Sequence, residues 1–205
     1  MQVSCVIAPV IANMCNASFD QRSLPTSQKK AITVPLLKKP TLDSSDLNSF
    51  RPISNLSFVS KIVERVADTR FVEHVEKHSL FPIFQSAYRV NYSTETALVR
   101  LHNDMLRVID SGEVGGLVLL DMSSAFDTVD HQVMIDVLRR RFDVRDAALD
   151  WFQSYFSDRT QVVAIGSSLS CERSVTTGVP QGSAFGPRSY VAYSEDVVDV
   201  LTSRR

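Results

Sequence analysis

Three features of the sequence predict an α+β fold. Apolar residues recur at three- and four-residue spacing across 58–75 and again across 97–109, the period of helices with one buried face. The short apolar runs AITVPLL, GLVLLD and TQVVAIG are bounded by turn residues and rich in strand-forming side chains. Helical and strand-like segments follow one another without the regular alternation of a parallel α/β sheet. With 205 residues, 44% hydrophobic and 22% charged, the chain has the apolar material for a packed core in one large domain or two interleaved subdomains.

Taken in order, residues 7–19 have the spacing of a short amphipathic helix, with Pro9 tolerated in its first turn. AITVPLLKKP reads as a strand, and Pro35 within it favours an edge position, because proline donates no ladder hydrogen bond. TLDSSDLNSF is a polar loop that delivers the chain to Arg51 and Pro52. From Ser57 a long helix is predicted. Phe58, Val59, Ile62, Val63, Val66, Phe71, Val72 and Val75 make its apolar face; Lys61, Glu64, Arg65 and Glu73 make the polar one. A second helix takes Ser93 or Thr94 as its cap and Glu95 into its first turn, and is expected to bury Ala97, Leu98, Leu101, Met105 and Ile109.

SGEVGG ends that helix, and GLVLLD follows as an almost wholly apolar run. A strand covered on both faces has this composition, and so does a buried helical segment. VMIDVLRRRF and AALDWFQSYF have helical spacing, and TQVVAIG, the GSSLS turn and CERSVTTG make a hairpin. GVPQGSAFGP is a glycine and proline loop that leads into SYVAYSEDVVDVL.

The formal charge of -1 and a pI of 6.4 leave no global basic footprint, so contact with nucleic acid must come from local clusters. Cys5, Cys15 and Cys171 are widely spaced, without a CxxC pair, which points away from a disulfide framework or zinc site and towards a reducing, intracellular compartment, nucleus and cytoplasm being indistinguishable. The apolar stretch near the start has no basic residue before it and is interrupted by Asn13 and Asn16, unlike a secretion signal. No run approaches the roughly 18 uninterrupted apolar residues of a membrane span. A hydrolase is not indicated: GxSxG, HExxH and DTG are all absent. His74, His78, His102 and His131 read as surface or helix-end groups, and the pair at 74 and 78 has no third ligand spaced to join it.

The chemistry concentrates in LLDMSSAFDTVDH, residues 119–131. Asp121, at the end of an apolar run, has the place of a carboxylate held at a sheet rim, where hard cations take oxygen ligands and phosphoryl transfer uses pairs of them. Ser123, Ser124 and Ala125 would admit a substrate close to the backbone, with Phe126 as an apolar wall. An aspartate at this point also serves simply to end a strand and cap a turn, and Asp127 and Asp130 have the same alternative.

Together with IAPVIANMCNASF, VPLLKKP, SFRPISNLSFVSKIVERV, QSAYRVNYSTETALVRLHNDM and TTGVPQGSAFGP, in that family's order, the stretch resembles the reverse transcriptase domain of non-long-terminal-repeat retrotransposons, the LINE-like and jockey-like elements. The resemblance implies the fingers and partial palm of a right-hand polymerase, with an N-terminal extension and fingers over 1–110 and the palm portion over 111–205. It implies an RNA template, a DNA primer and deoxynucleoside triphosphates as partners, two magnesium ions in the complete site, and no membrane; oligomeric state stays open. Asp121 matches the first metal-binding, catalytic aspartate, joined by the backbone carbonyl of Met122. Phe126 matches the residue that excludes a ribose 2′-hydroxyl. Gln181 and Gly182 match the loop beside the nucleotide and template base, Arg51 the arginine on the triphosphate, with Lys38 or Lys39 adding a basic contact and Arg89 near the template. Guanidinium forks and lysine point charges suit phosphate oxygens.

Val90, Asn91 and Tyr92 depart from the family, which commonly has a further basic residue there. The family's adjacent aspartates are not found in YSED, 193–196, which follows GVPQGSAFGP too soon and reads as helix surface, with Val191, Val197, Val198 and Leu201 on the helix's buried side. The expectation is therefore a polymerase fragment that cannot extend a primer alone, with a non-catalytic nucleic-acid- or protein-binding remnant as the alternative. Asp121 is expected to share a cleft with Gln181 and Arg51, and the strand bearing it to expose an unpaired edge and apolar surface.

Overall fold

Three helices of this chain begin where a side chain accepts an orphan amide of the first turn, and the computed structural model, which describes residues 2–122 and 124–196 with side chains from residue 5, shows those caps, while the helices that start at Asp146 and Gly186 have no side-chain cap. In chain order its elements are α1 (Gln2–Asp20), β1 (Lys30–Leu37), β2 (Phe50–Asn55), α2 (Phe58–Lys77), α3 (Thr94–Asp110), α4 (His131–Arg140), α5 (Asp146–Phe156), β3 (Arg159–Ile165), β4 (Ser168–Leu169), β5 (Arg173–Val175) and α6 (Gly186–Tyr193). Ser57 caps α2 by accepting the Ser60 amide at 3.0 Å. Ser93 and Thr96 form a reciprocal capping box at the start of α3. Asp130 accepts the Val133 amide at 2.9 Å and starts α4. α1 begins earlier than the spacing predicts, so Pro9 lies inside it rather than in its first turn.

The sheet runs β2-β1-β3-β4, with β5 also paired to β3. β1 is antiparallel to β2 and parallel to β3, the latter only over 30–33 against 160–163. β1 is thus not an edge strand, which corrects the reading of Pro35; but beyond Thr33 its only strand neighbour is β2, and there the proline is tolerated. Pro35 stands directly opposite Pro52. Neither can donate, so this pair occupies a non-hydrogen-bonded site of the ladder, and by alternation so does the pair Thr33 and Ser54. The Lys38 amide, of the other class, donates to the Ser49 carbonyl at 2.8 Å. The Ser54 amide is left pointing away from β1.

An aromatic cluster fills the core between α1, α2, α4, α5 and α6. Phe185 is its hub, with ring centroids 4.8 Å from Phe152, 5.5 Å from Phe71 and 6.0 Å from Tyr155, the last two edge-on as ring quadrupoles favour. Trp151 stacks on Tyr155 and donates its indole N–H to Ser18 at 3.0 Å. Sheet and core both draw on residues from either side of position 110.

Three expectations are corrected. Glu64 belongs to the buried face of α2, which comprises Ser60, Val63, Glu64, Ala67, Asp68, Phe71 and Val75. α3 forms as predicted but buries none of its residues; Leu98 and Ile109 are exposed. GLVLLD is not a strand: residues 113–122 carry no helix or ladder, and Leu119 and Leu120 are 82% and 72% exposed. The composition is that of a strand, but a strand exists only by pairing, and no described strand lies alongside it. The exposed apolar run agrees with the surface expected there.

Phe185→Ala should remove the hub of the core and cost about 3–5 kcal/mol in urea unfolding. Replacing Leu119 and Leu120 with serine should change stability by no more than about 0.5 kcal/mol each while lowering light scattering on concentration.

Candidate functional site

Three segments remote in sequence meet at the loop that opens with Gly178. Its Gly178 amide donates to the Val129 carbonyl at 2.7 Å and its Val179 amide to the Phe126 carbonyl at 2.8 Å. His131 donates through Nε2 to the Gly178 carbonyl at 2.7 Å, which fixes the proton on that nitrogen. The Ser54 amide, left free by the proline pair, donates to the Gln181 carbonyl at 2.8 Å. Gly178 has φ +85° and a Cβ there would stand 3.1 Å from both the Asp127 Cα and the Phe126 carbonyl oxygen. Gly182 has φ +112°, and a Cβ would meet the Ser54 carbonyl oxygen at 3.1 Å. Both backbones need the left-handed region and a close approach that glycine alone permits.

Beside this loop lies a cleft of about 380 Å³ whose lining includes Thr33, Pro52, Ser54, Asp127, Gln161 and Gln181. The Gln181 amide reaches Asp127 at 3.4 Å. The Phe126 ring packs against Tyr190 of α6 at 5.6 Å and against the core, so its wall is fixed from behind.

The structure puts Gln181 in the cleft, ties Phe126 to the same loop through its carbonyl, sets Gly182 against a separate hollow beside α2, and leaves other predicted residues apart. Asp121 does not line the cleft, and neither does Arg51; Asp127 takes the acidic position there. This corrects the shared cleft expected of Asp121, Gln181 and Arg51. Asp121 and Met122 belong to the exposed, unpaired run, so no ladder holds the carboxylate at a rim. Arg51 pairs with Leu36 on β2, and pleat alternation puts it on the sheet face opposite Pro52 and Ser54. Lys38 and Lys39 are exposed in the turn just past β1, and Lys38 donates to the Asn48 carbonyl at 2.8 Å. Arg89 is engaged within the chain. It binds both Glu76 oxygens at 3.1 and 2.9 Å, lies over Phe81 and Tyr92, and its side chain is 14% exposed. A nucleic-acid contact there would have to displace Glu76.

Among the described residues, no three His, Cys, Asp or Glu side chains are grouped to hold a metal ion. Asp121 and the Met122 carbonyl supply two oxygens from an unpaired segment. Magnesium wants a near-octahedral oxygen set with multiple fixed ligands. These residues alone do not make that site. Tyr193 closes α6 and Asp196 pairs with Arg141 at 2.7 Å, while Val197, Val198 and Leu201 lie outside the described residues.

Sequence reasoning missed what lies behind the loop. Glu64 is fully buried and accepts the Ala184 amide at 3.0 Å; burial pushes its carboxyl up, opposed by that amide and by Arg159. Arg159, 2% exposed, donates to the Tyr155 carbonyl at 2.9 Å and lies over the Tyr155 ring. Burial likewise raises the Tyr155 phenol, with the Glu64 carboxylate adding to the effect. One turn along α2, Asp68 pairs with Arg188, which also donates to the Tyr88 carbonyl. Burial raises the Asp68 carboxyl, and the Arg188 bond opposes it. The available signal was positional: 60, 64, 67, 68, 71 and 75 share one helical stripe, and only the polarity of 64 and 68 argued against it.

Gly178→Ala should destabilise by about 2 kcal/mol or more, through backbone strain and contact with fixed backbone atoms. Gly116→Ala, in open space, should stay within about 0.5 kcal/mol of wild type in the same denaturant series. A second measurement concerns pH. The folded Glu64 carboxyl is raised above its ordinary value of 4.5, so the stability of its neutral form is fully present below 4.5 and is lost as pH rises through the folded value. Denaturant midpoints of wild type relative to Glu64→Gln should therefore improve as pH falls from 7 towards 4.5.

The family profile described as "Reverse transcriptase (RNA-dependent DNA polymerase)" matches residues 37–204. Curated relatives agree. The chain is 30% identical over 210 residues to the "Probable RNA-directed DNA polymerase from transposon BS" of Drosophila melanogaster, covering 93% of this chain and 23% of that protein. It is 32% identical over 170 residues to the corresponding "transposon X-element" protein of the same fly, covering 83% and 18%. It is 28% identical over 187 residues to the "RNA-directed DNA polymerase from mobile element jockey", covering 91% and 20%. The chain thus spans about a fifth of the length of these relatives. With that profile covering most of the chain and these relatives agreeing, it belongs to the reverse transcriptase family, as part of the reverse transcriptase domain of a LINE-like retrotransposon.

Proposed function

We propose that this chain supplies the nucleotide- and template-facing surface of an RNA-directed DNA polymerase, and that by itself it binds rather than extends. The observation that carries this reading is the Gly178–Ala184 loop, pinned between the Ser54 amide of β2 and the Phe126 carbonyl, which gives Gln181 and Gly182 fixed places beside the sheet that bears Arg51. Gly182 lets the loop lie directly against the Ser54 carbonyl, which sets where Gln181 stands. Arg51, on the face of β2 away from the Gln181 cleft, would by family resemblance offer forked donors to triphosphate oxygens, and Lys39 a point charge. Phe126, backed by Tyr190, makes an apolar wall whose position the nucleotide cannot shift at low cost.

Two-magnesium chemistry is implied by the family, with Asp121 and the Met122 carbonyl as ligands, but the described residues do not complete that ligand set, and no chemical step is assigned to them. The alternative, a remnant that binds nucleic acid or protein without chemistry, has in its favour the exposed Lys38, Lys39 and Arg51. Nucleotide binding separates the two.

Titration of the purified chain with a fluorescent deoxynucleoside triphosphate, with and without a labelled RNA–DNA primer-template, is the test. A hydrogen bond to a charged group is worth about 1.5–3 kcal/mol, so Arg51→Ala should weaken nucleotide binding about tenfold or more, and Gln181→Ala should also weaken it. Primer-template binding that is unaccompanied by nucleotide binding, or unchanged nucleotide affinity in both variants, would favour the remnant. Robust incorporation lost in Asp121→Asn would show that the chain is active alone.

A further inference from the structure

We propose that Glu64 is a positioning residue: from the core side, its carboxylate holds the Pro180–Ala184 loop so that Gln181 and Gly182 keep their place beside β2. The effect on ligand binding rests on the nucleotide reading above; the positioning itself does not.

A carboxylate is the wrong choice for its neighbourhood unless it has a specific task. Glu64 is fully buried on the α2 face shared with Val63, Ala67 and Phe71, where an apolar side chain would suit the packing. The task on view is the Ala184 amide, which donates to Glu64 Oε2 at 3.0 Å. Ala184 precedes α6, so its N–H has no partner within that helix. The loop around it is tied by Ser183 N–H to the Pro180 carbonyl at 3.0 Å and Gly186 N–H to Ser183 Oγ at 2.8 Å, so it moves as a unit. Its far end is fixed by Ser54 N–H on the Gln181 carbonyl. Glu64 and Ser54 therefore grip the same five residues from two elements, α2 and β2, which are separated by only Leu56 and Ser57.

Burial disfavours the charge, and the surroundings offset part of that cost. Arg159 brings a buried guanidinium towards Glu64, and Tyr155 lies beside both. The Tyr155 hydroxyl interacts with Glu64 and Ser183, while Arg159 Nη2 and Ser60 Oγ are buried without a hydrogen-bond partner in the protein, so the cluster keeps polar capacity that packing alone would have eliminated. Ser60 lies one turn before Glu64 on the same helix face. Replacing the acid by glutamine keeps an acceptor for Ala184 at nearly constant shape. Leucine keeps the volume and removes the acceptor.

The test compares wild type, Glu64→Gln and Glu64→Leu as full chains, with backbone amide hydrogen exchange by NMR at one pH and titration with a deoxynucleoside triphosphate plus magnesium. The Ala184 amide should be protected in wild type and in Glu64→Gln, with nucleotide affinity within about threefold of each other. In Glu64→Leu that protection should be lost and affinity should fall about tenfold, as for one charge-assisted hydrogen bond, while the amides of α5 stay protected. The proposal is overturned if Ala184 exchanges freely in wild type, if Glu64→Leu leaves its protection or a measurable nucleotide affinity unchanged, or if glutamine fails as badly as leucine. Should Glu64→Leu not fold, Ala184 protection in wild type and Glu64→Gln decides: retained in both supports the proposal, lost in either overturns it. Absence of nucleotide binding by wild type would sink the functional reading alone, since the exchange data still judge Glu64.

Discussion

The arrangement depends on two prolines that cannot donate a hydrogen bond. Pro35 and Pro52 face each other across β1 and β2, which forces their pair into the non-bonded class and fixes the register of the hairpin. A slip by one residue would put a proline where the ladder demands an N–H and would turn Arg51 to the other face. The same alternation sends the Ser54 amide outward, where the Gln181 carbonyl takes it. A constraint that looks like a defect in a strand thus becomes the anchor of the loop beside the cleft.

Charge inside the core plays the complementary part. Glu64 and Asp68 lie on the buried stripe of α2, and each ties down an irregular segment: Glu64 the loop at Ala184 directly, Asp68 the loop at Tyr88 by way of Arg188 of α6, which donates to the Tyr88 carbonyl. Buried acids are costly unless satisfied, so each ties its segment to a single arrangement. Arg89 does the same from the loop side, clamped by Glu76 and two rings. Tyr88 and Asn91 adopt positive φ in that loop, a conformation that holds only while such contacts over-determine it.

How much was legible in the sequence follows from how local each cause is. Ser57, Ser93 and Asp130 act on amides three residues away, and the helices they start were predictable from the sequence alone. Phe126, Gln181 and Gly182 were singled out by their motifs; the 178–182 loop does meet Phe126 through the Val179 amide, and only Gln181 lines the cleft. Glu64 was placed on the wrong face because polarity is read as exposure, whereas its partner, Ala184, is 120 residues away. Arg89 was read as lying near the template because nothing in the sequence shows Glu76 folding back to it. The parallel pairing of β1 with β3 links segments some 130 residues apart, and no local pattern encodes it.

The run at 117–121 marks the limit of that kind of reading. Its composition specifies what it would become with a neighbour, and β structure is a property of two segments, so the same residues stay extended and exposed when none is alongside. α3 obeys the same logic: Arg100 lies over the Phe84 ring and Met105 and Val108 approach Gly115, yet none of its residues is buried. The aromatic core, by contrast, is closed by α1, α2, α4, α5 and α6 without help from 94–122. Stability therefore does not draw on the run at 113–122: the elements that hold the Gln181 loop are satisfied among themselves, whereas no ladder fixes the position of Asp121.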